Sequence, residues 1–160
     1  MKGIICNRAR ALAVAGMVAA GVAAAPASAE AAASTKTFSL IGKPGSRTVT
    51  LVNANSLLIN ARCNSRGQPV VFGFTSAPAA DVFGRIFDGV GWIHFVKNTS
   101  FNRRSRGIQL SPTSANFDTT TSLLFESSSG DVVTVNMAMD NSTTLSRQNL
   151  CTVFGSMVAS

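Results

Sequence analysis

A single histidine occurs in the chain, so any Ser-His-Asp relay must run through His94. The alternation of Trp92-Ile-His-Phe95 places Trp92 and His94 on one face of a strand and Ile93 with Phe95 on the other. No G-x-S-x-G nucleophile elbow accompanies them, and a half-exposed strand histidine is the expected reading. The carboxylates Asp81, Asp88, Asp118, Glu126, Asp131 and Asp140 are scattered along the sequence. Two of them meeting in space would supply glycosidase chemistry, although Asp residues at turns and strand ends have a backbone role of their own. Ser128-Ser-Gly-Asp131 reads as a hairpin turn, not as a nucleotide loop. Cys63, Cys151 and His94 do not make a metal-ligand set, and no metal or cofactor is expected.

Candidate binding residues are few. Trp92 with Phe87 and Phe95 would form a flat platform for a sugar, but there is no Tyr and only this Trp, so core packing is their expected role. Arg103-Arg104-Ser-Arg106 is the one clear charge cluster, in a loop beside Phe101 and Asn102. It is a candidate contact for an anionic cell-envelope polymer or phospholipid headgroup; the alternative is a solvated loop, and no specific nucleic acid partner is expected. The acceptor patterns Asn98-Thr-Ser100 and Asn141-Ser-Thr143 are read as exposed loops.

At the N-terminus, Lys2, Arg8 and Arg10 precede an uncharged, Ala-rich run from Ala11 to Ala25. Pro26 breaks that run, and Ala27-Ser-Ala29 puts small residues where a signal peptidase probes. Residues 1–29 therefore read as a helical secretory signal peptide cleaved between Ala29 and Glu30. The run is also short for a membrane span, which needs about 20 apolar residues. Cys6 lies ahead of the apolar region, the wrong side for a lipidated cysteine, and leaves with the signal. Removing Lys2, Arg8 and Arg10 lowers the net charge from +7 to +4, so much of the basic character belongs to the signal. No later apolar run reaches spanning length. The expected location is secreted or extracytoplasmic, at the cell envelope.

Two cysteines remain in the mature chain. In an oxidising compartment Cys63 and Cys151, without CxxC spacing, are expected to form one disulfide, the alternative being two buried free thiols.

The elements that must carry these residues read as strands almost throughout. Polar and apolar residues alternate over 36–41 and 46–52, separated by the turn Gly42-Lys-Pro-Gly45, which describes a hairpin or a sheet corner. Further runs fall at 57–63, 70–75, 81–87, 91–96, 107–110, 122–126, 131–139 and 150–158. Each break contains Gly, Pro, Asn or Ser, the residues of turns. The spacing predicts an all-β antiparallel β-sandwich or jelly-roll-like domain over 36–160, preceded by a flexible leader at 30–35.

A strand ending Ala61-Arg-Cys63, with a terminal strand Cys151-Thr-Val-Phe-Gly155, resembles a group of small uncharacterised secreted proteins of high-GC actinobacteria. That resemblance implies an Ala-rich signal, a β-rich body and a paired cysteine, and brings no catalytic residue with it. The favoured reading is a non-catalytic secreted or envelope-associated β-domain with a structural or interaction role. The alternative is a small secreted hydrolase acting on glycans or esters through carboxylates.

Overall fold

Period-two alternation becomes two faces once the strands pair. In the computed structural model, which describes residues 32–112, 118–140 and 150–160, every element is a strand. In chain order they are β1 (Ser34–Gly42), β2 (Val49–Ala54), β3 (Leu57–Cys63), β4 (Pro69–Thr75), β5 (Ala80–Phe87), β6 (Ile93–Phe101), β7 (Ile108–Gln109), β8 (Thr119–Ser127), β9 (Val132–Asp140) and β10 (Cys151–Ala159). The expected signal peptide, its cleavage point at Ala29/Glu30, Cys6 and Asn141 lie outside the described residues.

The strands form two antiparallel sheets packed together, one of six strands in the order β1-β10-β9-β8-β5-β6 and one of four in the order β2-β3-β4-β7. This is the predicted sandwich. The turn at 42–45 is a sheet corner, since β1 and β2 belong to different sheets. The domain also starts earlier than expected. Ser34 and Thr35, read as flexible leader, pair with Ala159 and Val158 of β10 because the ladder continues wherever a partner strand reaches.

Alternate residues of each strand face the other sheet. Val133, Val135, Met137 and Met139 of β9 are buried, as are Leu123 and Phe125 of β8 and Val153 and Met157 of β10. They meet Leu57, Ile59 and Ala61 of β3 and Val71 of β4 in one apolar core. Burying a Val, Leu or Phe side chain stabilises by roughly 1.5–3 kcal/mol, so this layer is the main favourable term. The short β7 leaves the Leu110 carbonyl without a ladder partner, and Thr121 Oγ1 of β8 donates to it at 3.0 Å. One polar bond thus crosses the apolar layer where a backbone acceptor would otherwise be unmet.

Cys63 and Cys151 are disulfide-bonded, with Cα atoms 5.9 Å apart and a sequence separation of 88. The bond joins the end of β3 in the four-stranded sheet to the start of β10 in the six-stranded sheet. Next to it, β1 and β10 pair over nine residues. Gly155 of β10 lies opposite Phe38, and a Cβ there would come within 2.8 Å of the Phe38 ring and closer still to the Asn136 carbonyl. Only glycine lets the three chains approach this way.

Candidate functional site

Phe83, Phe87 and Phe95 follow the strand pattern to the solvent side of the six-stranded sheet. Their registers define the surface. Phe83 pairs with Leu124 on β8 and Lys97 on β6, Arg85 with Ser122 and Phe95, and Phe87 with Thr120 and Ile93. Paired residues share a face, so one side of β5 and β6 carries Phe83, Phe87, Ile93 and Phe95 around Arg85 and Lys97. Phe83, Arg85, Phe95 and Leu124 line a shallow cavity of about 470 Å³ there.

The expectation that Trp92, Phe87 and Phe95 pack in the core is overturned. Trp92 is 70% exposed, Phe95 82% and Phe87 41%. Phe87 and Phe95 lie on the outer face of β5 and the edge strand β6, away from the four-stranded sheet, and Trp92 lies in the connection just before β6. The connection between these strands is well defined nonetheless. Asp88 Oδ1 accepts from the amides of Val90 and Trp92, and the Asp88 amide donates to the Trp92 carbonyl. Gly91 takes φ of 107°, which a residue with a Cβ adopts poorly. Val90, Trp92 and Ile93 therefore stand at the tip of an ordered hairpin with their side chains in water.

His94 is on β6 as expected, its side chain 59% exposed, with Nε2 3.8 Å from Asp88 Oδ2. It meets one carboxylate and no described nucleophile. Asp81 and Glu126, far apart in sequence, are direct cross-strand neighbours on β5 and β8 and line a cavity of about 360 Å³. This pairing depends on strand order, which the residue pattern does not encode. Glu126 is exposed and the cavity opens at the sheet's end beside Ser128 and Gly130. Asp131 is held in the β8–β9 turn by Ser127 and Ser129, as a hairpin residue should be. Among the described residues no group of three His, Cys, Asp or Glu could hold a metal ion.

Arg103, Arg104 and Arg106 are exposed in the β6–β7 connection, where no described carboxylate pairs with them. The backbone beneath is pinned: the Arg103 amide donates to Ala77, the Arg104 amide to Asn102 Oδ1, and Asn102 and Ser105 bond each other. This loop lies at the other end of β6 from Trp92, eight residues or roughly 27 Å of strand away. Asn98-Thr-Ser100 lies in β6 itself and not in a loop, because the strand runs on to Phe101. A third, open groove of about 700 Å³ lies over β1, β10, β9 and β8 and is lined by apolar side chains such as Phe38, Met137 and Phe154 together with the polar Thr37, Asn136 and Ser156.

No family model, curated protein or solved structure matches the chain.

Proposed function

We propose that this chain is a non-catalytic, secreted or cell-envelope-associated β-domain that works by interaction, through the outer face of β5 and β6. The observation that carries this is the contiguous row of exposed Phe83, Phe87, Ile93 and Phe95 on a rigid sheet. Apolar surface of this kind, gathered in one place and rimmed by polar residues, marks an interaction site. The Arg103, Arg104 and Arg106 loop is a second contact, suited to an anionic envelope polymer. The Cys63–Cys151 disulfide is compatible with an oxidising compartment, and no described helix is long and apolar enough to cross a membrane. The N-terminal signal pattern supports export, and an intact mass beginning at or near Glu30 is the expected result for exported protein.

Hydrolysis is the second reading, favoured by the Asp81–Glu126 juxtaposition. Acid–base chemistry on a glycan needs a cleft that shields both carboxyls and orients the sugar between them. An exposed Glu126 at the end of the sheet offers little shielding. Screening purified protein on glycan and ester substrates tests the choice. No turnover is expected, and turnover abolished by Asp81→Asn and by Glu126→Gln would establish the hydrolase instead.

A further inference from the structure

We infer that the partner of the β5–β6 face is an anionic lipid surface, into which the hairpin tip inserts Val90, Trp92 and Ile93. The inference rests on the interaction reading above and names the occupant of that same surface. Three independent features of the tip converge on lipid.

The first is composition. Val90, Trp92 and Ile93 are each at least half exposed at the outermost point of the hairpin, and Phe95 follows directly behind them. A Trp with an apolar body and one N–H donor is best placed at the boundary between headgroups and acyl chains.

The second is backbone satisfaction. A loop entering the edge of a bilayer loses water, and each unmet amide there costs several kcal/mol. Here three of the tip's backbone groups are spared that cost: the amides of Val90 and Trp92 are bonded to Asp88 Oδ1, and the Trp92 carbonyl accepts from the Asp88 amide. The Asp88 carboxylate, the only charge in the tip, is thereby turned inward to these amides and His94 rather than towards a membrane.

The third is charge. Arg85 and Lys97 are exposed on the face just behind the apolar tip, diagonal to each other across β5 and β6. No described carboxylate pairs with either. Cations at that height meet lipid phosphates when the tip is inserted, and an anionic leaflet attracts each of them.

The chain has a single Trp, so its fluorescence reports on the hairpin alone. The exported, processed protein with its disulfide intact is titrated with vesicles of phosphatidylcholine, with and without phosphatidylglycerol. Anionic vesicles are expected to shift Trp92 emission to the blue, and lipids brominated near the glycerol are expected to quench it. In co-sedimentation, Arg85→Gln and Lys97→Gln should each weaken partition about fivefold, the effect of about one charge at an anionic surface. Ile93→Ser should weaken it about tenfold or more while keeping the fluorophore. All three variants should melt at the parent temperature, since their side chains lie in solvent.

Unchanged Trp92 emission on anionic vesicles would overturn the inference, as would equal partition to neutral ones. A blue shift that needs only concentrated protein would give the surface to a second copy. A blue shift produced by soluble polyphosphate in place of vesicles would give it to a polyanion. None of these results would touch the non-catalytic reading, which fails only on the substrate screen above.

Discussion

The two lateral edges of the six-stranded sheet are built on opposite plans. At the β1–β10 edge the chain closes on itself: nine residues of ladder, a disulfide to the other sheet, and Gly155 cleared of a side chain so that Phe38 can lie over it. At the β5–β6 edge the strands pair along most of their length, but the outer-face side chains face water, Phe95 and the neighbouring Trp92 most of all. Core burial accounts for the inner face of both edges, Val82, Ile86 and Phe101 included, and leaves the outer-face aromatics of the second unaccounted for. Order without burial is what a recognition surface requires, because a preformed face avoids the entropy of organising on contact.

Breaking the closed edge should have the largest effect. Reduction, Cys63→Ala or Cys151→Ala should each destabilise by about 4–5 kcal/mol in the loop-entropy model, read from denaturant midpoints. The double variant should cost no more than either single one, because both remove the same link. Gly155→Ala is next, at about 1–3 kcal/mol, since the new methyl meets backbone and a packed ring rather than a flexible chain end. Thr121→Val should cost about 1–3 kcal/mol by leaving the Leu110 carbonyl unmet between the sheets.

The remaining variants sharpen the contrast from the other side. Glu126→Gln should stabilise by about 0.2–1 kcal/mol by removing a like charge directly opposite Asp81, and the gain should shrink in salt. Phe95→Ser should change the melting midpoint least, within about 0.5 kcal/mol, despite deleting an aromatic ring from a strand. A loss of several kcal/mol from Phe95→Ser would mean that the open edge is structural after all.

The ten strands of the described residues were legible in the sequence, because alternation is local and every break carries a turn residue. The disulfide was legible from the pairing of two leftover cysteines. Three features were not. The exposure of Trp92 and Phe95 runs against the sequence pattern, since aromatic residues are mostly buried and only an uncovered sheet face or a hairpin tip reverses that expectation. The Asp81–Glu126 contact depends on β5 lying beside β8, a matter of sheet order that the pattern of either strand leaves open. β6 also runs five residues further than its alternation, through Lys97-Asn-Thr-Ser100 to Phe101. Polar residues there lose nothing in strand form because they sit at a wet edge, and their ladder to β5 does not depend on burial.

The pairing of β1 with β10 also constrains the order of assembly. Among the described strands β1 has β10 as its only partner in the sheet, with Ser34 opposite Ala159. Contacts so distant along the chain make folding slow, and for β1 they forbid completion until the final residues are present. The β2–β3–β4 meander and the β5–β6 hairpin can pair as they emerge, whereas β1 has no partner in its sheet until β10 arrives.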